Sequence, residues 1–359
     1  MRKFAAFFVA FCAFLFAVSQ AKPPPYLLGV HVAETEAPAT FLTRLERAAK
    51  LGARAVRVPV DWAALEPEKR GTFDPAYLSE VRARFLRAEE LGLLAVLLLS
   101  QSPPWASGSE HPPDPPRPEH YADFAGALVQ LVAAVGPSRV AAVEVWNEPN
   151  SMQFWGVNEP RKYTYVLVPL RYARAYAGLL NATYDAMKRR FPTIPVLGGS
   201  LAGTDLDYLK ALFKAGARMD ALAVHPYTSP DERDGPRFGL VQYPDQCNEE
   251  DPLSPRWCFA RGLDWIRAWL DAMGRGNLEL WLTEFGAASG GEWGEAGSEA
   301  EQAKHLEIAL DLLEKHAPRW KVRAALWYRL VDEGDDRYGL LREDGSKKPA
   351  AEVFKRRAP

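Results

Sequence analysis

The chain has 359 residues, with 44 Lys and Arg against 46 Asp and Glu and a formal net charge of −2. So even a balance, without a basic block, argues against nucleic acid as a partner. A hydrophobic share of 48% supports a sizeable core and argues against disorder. The length suits one large barrel domain with long loops.

Arg2 and Lys3 precede a continuous apolar stretch from Phe4 to Val18, and Ser19-Gln20-Ala21 offers small residues for cleavage. This is the pattern of an export signal over residues 1–21, cut after Ala21. A retained anchor is the alternative, but the run is short of the roughly 20 residues a spanning helix needs. No second such run follows. The expected mature chain is therefore secreted or periplasmic, with no membrane partner.

A Pro-rich linker, residues 22–25, leads into alternating β-prone and helix-prone segments. The predicted strands are Tyr26–Val32, Ala53–Val60, Leu93–Leu99, Val140–Trp146, Ile194–Gly198, Ala221–His225, Leu278–Leu282 and Val322–Tyr328. Predicted helices include Ala39–Leu51, Pro75–Leu91, His120–Val135, Arg171–Arg190, Glu299–Lys315 and Pro349–Lys355. The strands read as near-continuous apolar runs, as in a parallel sheet covered on both faces. Eight such units without a break in composition predict a single-domain (β/α)8 TIM barrel over residues 26–359. A doubly wound sheet would carry a Gly-rich phosphate loop after its first strand, and Gly29-Val30-His31-Val32 is not one.

Cys12 lies in the export segment, which leaves Cys247 and Cys258. In an exported protein such a pair predicts a disulfide, with two free thiols as the alternative. Six scattered His give no zinc spacing, so neither a metal nor an organic cofactor is expected. Four loops follow strands and should crowd one end of the barrel: 101–117, 150–169, 228–255 and 287–297.

In a barrel, chemistry sits at the C-terminal ends of the strands. There the sequence offers Asn147-Glu148-Pro149 after strand 4, Thr283-Glu284-Phe285-Gly286 at strand 7, and His225-Pro226-Tyr227 at strand 6. Arg57 lies on strand 2, His31 ends strand 1 and Trp327 ends strand 8. Two carboxylates across a barrel mouth are what glycosidic cleavage needs. Arg57 is the cation available to Glu284; alternatively it pairs with Glu144, a charge inside an apolar strand that must find a partner.

Val143-Glu144-Val145-Trp146-Asn147-Glu148-Pro149-Asn150 resembles the acid/base motif of clan A glycoside hydrolases, and Leu282-Thr283-Glu284-Phe285-Gly286 resembles their nucleophile motif. Family 39, β-xylosidase-like, is the nearest in motif, followed by family 5, cellulase-like. The resemblance implies a retaining β-glycosidase acting on an oligo- or polysaccharide, with Glu148 as acid/base and Glu284 as nucleophile. It implies a sugar contact for Asn147, and Tyr227 as a donor to Glu284. Arg57, His225, Tyr227, Trp327 and His31 complete the expected substrate-binding set, with Trp327 stacking under the sugar. For His225, burial against a neighbour is the competing reading.

Asn147 and Glu148 are adjacent, and neighbours on a regular strand face opposite sides. Both reach one site only if strand 4 breaks or bulges, which Pro149 favours. Trp62, Trp105, Trp155 and Trp293 fall near strand ends or on loops, as sugar platforms or as packing. Trp265 and Trp269, spaced i, i+4, predict a buried helix face. One other function stays open, a sugar-binding barrel without catalysis. A metal-dependent hydrolase would need a His-x-His on strand 1, where only His31 stands, and is set aside.

Overall fold

The computed structural model describes residues 25–33, 37–155, 170–228, 242–247, 254–290 and 297–358. The segment expected to serve export, most of the linker, Trp293 and much of three of the four long loops lie outside them. Eight parallel strands pair in chain order and close into a barrel. They are β1 (Leu27–His31), β2 (Ala55–Asp61), β3 (Leu94–Ser100), β4 (Val140–Val145), β5 (Val196–Ala202), β6 (Ala221–His225), β7 (Glu279–Phe285) and β8 (Val322–Trp327). The expected fold is the one found.

Around the barrel run α1 (Pro38–Lys50), α2 (Pro75–Glu90), α3 (Tyr121–Val135), α4 (Tyr172–Arg190), α5 (Leu206–Lys214), α6 (Phe259–Ala272), α7 (Glu299–Trp320) and α8 (Pro349–Arg357). Local chemistry starts several of them. Asp74 accepts the Tyr77 amide at 2.7 Å ahead of Pro75. Ser298 caps α7, its hydroxyl accepting the Glu301 amide at 3.2 Å and donating to the Glu301 carboxylate at 2.8 Å.

Strand parity divides the core. Outward residues such as Val30, Val58, Leu97, Val143 and Leu282 pack with the helices in the main core. Inward ones form a separate cluster: Ala55, Val96, Ala142, Leu197, Ala221, Ala223, Trp281, Ala324 and Leu326. Trp281 is the one large ring among these, so small neighbours make the room that it fills. Gly29 belongs to the same economy, because a Cβ there would stand 2.1 Å from the Ala55 carbonyl oxygen. Above this apolar plug the same inward parity turns polar, through His31, Arg57, Glu144, His225 and Thr283.

Two strands run three or more residues past their predicted ends. β5 extends to Ala202 across a register shift between Gly199 and Leu201. β7 reaches Phe285 across an irregularity between Leu282 and Phe285. On α6, Leu263, Ile266 and Leu270 are buried whereas Trp265 is 39% exposed, so the Trp265/Trp269 face is not the core face. Arg261 lies over the Trp265 ring at 5.4 Å, and Trp269 meets Phe213 edge-on at 5.4 Å.

Cys247 and Cys258 are bonded, their Cα atoms 5.4 Å apart, and tie the loop after β6 to the start of α6. Among the described residues no helix is long and apolar enough to cross a membrane. Since Trp281 fills the plug, Trp281→Ala should cost roughly 3–5 kcal/mol through the cavity it leaves. Chemical unfolding of variant and parent measures this; a loss below about 1 kcal/mol would mean that the plug collapses to fill the space.

Candidate active site

Arg57 rises from β2 into the centre of the barrel mouth and is 1% exposed. Its Nε donates to Glu144 Oε2 at 2.6 Å, one terminal nitrogen bonds Glu284 Oε1, and the other donates to Asn147 Oδ1 at 2.8 Å. Both expected partnerships of Arg57 are therefore present together. Glu144 is wholly buried; besides Arg57 it accepts hydroxyls from Ser200 at 2.6 Å and Thr283 at 2.7 Å. Burial pushes its carboxyl towards neutrality, but the charges and hydrogen bonds of Arg57 and His225 hold it well below the usual carboxylate range.

Glu148 and Glu284 face each other above this base. An oxygen of each, together with a nitrogen of His225, lie within 4.8 Å of one another. The backbone makes the Glu148 position reachable. β4 ends at Val145, and Trp146 and Glu148 take φ of +67° and +42°. The Trp146 amide still reaches Leu99 O and the Glu148 amide reaches Ser200 O, both at 3.0 Å. Alternation is lost there, so Asn147 and Glu148 turn to the same site, as their adjacency required. On β7 Leu282 and Phe285 both lie in the outer core. Only two residues separate them, so Thr283 and Glu284 both come to the mouth at the register shift.

The two carboxyls have opposite surroundings. Glu148 Oε1 takes a hydrogen bond from His225 Nδ1 at 2.8 Å, while its buried Oε2 has no partner among the described residues. Burial raises its pKa, the neighbouring Glu284 charge raises it further, and the His225 contact only partly opposes this. Glu284 receives Arg57 on Oε1 and the Tyr227 hydroxyl on Oε2 at 2.8 Å. Burial alone would raise its pKa, yet the positive charges of His225 and Arg57 outweigh it and the net shift is downward.

The histidines differ for the same reason. Burial works against a charged His225, but Glu284, Glu144 and Glu148 around it bring its pKa up to about 9. His31 lies 3.5 Å from Arg57, and burial and that charge push it down to about 3, so it is neutral.

Glu148, His225 and Glu284 are near enough to share an ion. The donor chemistry opposes it: both His225 nitrogens are hydrogen bonded, and an added cation would meet the Arg57 guanidinium.

No protein-family profile and no curated protein matches the sequence. Solved structures do match. A family 39 glycoside hydrolase from the gut symbiont Bacteroides cellulosilyticus WH2 superposes with TM-score 0.69 at 21% identity, over 93% of this chain and 64% of that one. A family 39 enzyme from Xanthomonas axonopodis pv. citri gives 0.63 at 18%, over 93% and 69%. A GH5_18 enzyme from Streptomyces cattleya, in complex with Manβ1-4GlcNAc, gives 0.63 at 19%, over 93% and 80%. The shared property is the fold. This chain spans under two thirds of the Bacteroides protein.

Against that fold, several expected site residues move. Trp327 is fully buried outside the barrel, bonding Tyr338 O at 2.9 Å and meeting Phe285 edge-on at 5.4 Å, so it offers no stacking surface. Tyr328 takes the inward position instead, its ring 5.1 Å from His31, 5.4 Å from Tyr338 and 6.3 Å from Tyr227. His225 has no exposed surface and stands behind the carboxyls rather than in the cleft. Trp62 and Trp155 belong to a buried file of edge-on rings that runs through Phe124 and Trp146 to Tyr176, with the half-buried Trp105 at its outer end. Ser200, Thr283 and Tyr328 went unrecognised in the sequence. Parity along Ala324, Leu326 and Tyr328 was the available signal for the last.

The Glu144–Arg57 pair generates a stability prediction. Glu144→Gln sets an amide against either Arg57 or the two hydroxyl donors and should cost roughly 3–5 kcal/mol in chemical unfolding. The native Glu144 pKa is depressed, so its contribution is complete above the unfolded value of about 4.3 and fades as pH falls below it. The variant should accordingly lose less stability on acidification than the parent. Parallel pH–stability curves would refute the buried charge.

Proposed function

We propose that this chain is an exported retaining glycoside hydrolase that cleaves β-linked oligo- or polysaccharide, with Glu148 as acid/base and Glu284 as nucleophile. One observation carries the reading: two buried carboxyls, an oxygen of one within 4.8 Å of an oxygen of the other, have surroundings that drive their pKa values in opposite directions. Retaining enzymes place their carboxyls about 5–5.5 Å apart and inverting ones about 6.5–9.5 Å. The bound Manβ1-4GlcNAc of the Streptomyces cattleya enzyme supports a β-linked substrate. The Cys247–Cys258 bond supports an oxidising compartment.

In this reading Arg57 and Tyr227 keep Glu284 ionised and aim it at the anomeric carbon. Glu148 Oε2, the oxygen without a partner among the described residues, carries the proton that passes to the leaving oxygen. A glycosyl ester on Glu284 cancels its negative charge, the pKa of Glu148 falls, and Glu148 then takes a proton from the attacking water. Asn147 already accepts from Arg57 through Oδ1, which turns its amide nitrogen towards the cleft to meet a sugar hydroxyl. Tyr328 and Tyr227 supply the aromatic wall.

The first test is hydrolysis across a panel of polysaccharides and aryl β-glycosides beside Glu284→Gln. Loss of the nucleophile should remove several orders of magnitude of kcat on whichever member the parent cleaves. Sugar binding without turnover by the parent would favour the non-catalytic barrel instead.

A second expectation concerns pH. Glu284 must be ionised, so activity falls as pH drops through its depressed pKa. Glu148 must be protonated, so activity falls as pH rises through its raised pKa. The kcat/KM profile should be a bell with its limbs on either side of about 4.3, the ordinary glutamate value. A profile with both limbs on one side of that value would contradict the assignment.

A further inference from the structure

β5 ends irregularly. Gly199 and Ser200 have φ of +93° and +48°, and the register with β6 shifts across them. A Cβ at Gly199 would lie 2.8 Å from Ala223 O, so glycine is the residue that can begin the bulge. Ser200 is wholly buried at its top.

Its carbonyl oxygen accepts the Glu148 amide at 3.0 Å. Its hydroxyl donates to Glu144 Oε1 at 2.6 Å and lies 3.3 Å from His225 Nε2 and 3.4 Å from an Arg57 nitrogen. Thr283 repeats the pattern from β7, donating to Glu144 Oε1 at 2.7 Å and lying 3.1 Å from His225 Nε2.

These contacts fix the direction of the protons. Each hydroxyl spends its hydrogen on Glu144, so each turns a lone pair to His225, and Nε2 must be the donor. With Nε2 held in this way, and the ring charged among its three carboxyls, the second proton on Nδ1 points at Glu148 Oε1, 2.8 Å away. Ser200 thus reaches Glu148 by two routes, one through the main chain and one through the imidazole. On the Glu284 side its direct contact is the longer one to Arg57, and the imidazole Nδ1 stands 3.7 Å from Glu284 Oε2 against 2.8 Å from Glu148 Oε1.

We propose that Ser200 is a positioning residue for Glu148, its hydroxyl orienting His225 so that Glu148 Oε2 faces the leaving group. The proposal rests on the glycosidase reading above and deepens it: the hydroxyl serves proton transfer by Glu148 more than attack by Glu284, which Arg57 and Tyr227 hold directly.

Ser200→Gly tests this, since glycine accepts the positive φ and only the hydroxymethyl group is lost. The sugar found on the panel is presented as aryl glycosides from 2,4-dinitrophenyl, which departs without a proton, to phenyl, which requires one. The expected kcat/KM is within about threefold of the parent for the dinitrophenyl glycoside. For the phenyl glycoside it falls by about tenfold or more, towards the 10²–10⁴ that general acid catalysis supplies. Azide, a nucleophile needing no general base, should raise kcat of the variant on the dinitrophenyl substrate and leave the parent unchanged.

Equal losses on both substrates would overturn the proposal and place Ser200 with Arg57 and Glu284; so would no loss on either. If Ser200→Gly does not fold by thermal melting, Ser200→Cys keeps the shape with a weaker donor and must show the same split in smaller measure. A parent that cleaves no glycoside removes the underlying reading and this proposal with it. An active parent with an unsplit variant removes the proposal alone.

Discussion

Burying one guanidinium sets the terms for the whole barrel mouth. Arg57 stands on an apolar plug of Trp281, Leu326 and alanines, where no water can solvate it. A buried charge must be paired or it forces its surroundings to change. The planar fork meets this demand in three directions, towards Glu144, Glu284 and Asn147, which a lysine ammonium on its flexible stem could not do in one fixed geometry. Glu144, drawn in as the counter-charge, then needs its own lone pairs satisfied, and the hydroxyls of Ser200 and Thr283 supply that. Each polar group recruited to the centre recruits the next.

Regular strands cannot present so many polar side chains at one height, because alternate residues face outward. The backbone gives way at that level. Trp146, Glu148 and Ser200 adopt positive φ, and β7 slips register between Leu282 and Phe285. Left-handed conformations at non-glycine residues cost of order 1–3 kcal/mol each, and persist where surrounding structure over-determines them. Here the main-chain bond from Glu148 to Ser200 ties two such positions to each other, so neither relaxes alone. Lower in the barrel the register also shifts, between Ala95 and Val96 and between Leu280 and Trp281, but the side chains brought inward there are apolar.

That division decides what the sequence discloses. The strands were legible as apolar runs because both faces are buried, and Glu148, Glu284 and Asn147 because they sit in short motifs at strand ends. Arg57 and Glu144 stood out as charges inside apolar strands. Trp327 misled because ring size was weighed ahead of parity. The alternation Ala324, Leu326, Tyr328 leads inward, and Trp327 leads to His305 and Phe285 outside. Trp265 and Trp269 misled differently, since i, i+4 spacing shows that two residues share a face but not which face meets the core. Leu263, Ile266 and Leu270 answer that. Ser200 gave no periodic signal at all, because the bulge that brings it inward is the feature that destroys the period. The burial of His225 is a property of the closed barrel, which no single strand contains.

The charges at the mouth also explain why a single set of fixed groups serves both halves of the proposed cycle. Arg57 and His225 contribute two positive charges, and Glu144 and Glu284 two negative ones, so a neutral Glu148 leaves the array balanced. The proton belongs on Glu148 because, among the described residues, Glu284 has two donors and Glu148 has one, with Oε2 unmatched. A third anion in this low-dielectric setting would face repulsion without a cation to answer it. Esterification of Glu284 removes one of the two anions, and Glu148 can then ionise against the same Arg57 and His225. The sum is zero before and after. Neither half of the cycle requires a group to move in or an ion to bind, and the buried Glu144 stays charged throughout as the constant that holds both cations in place.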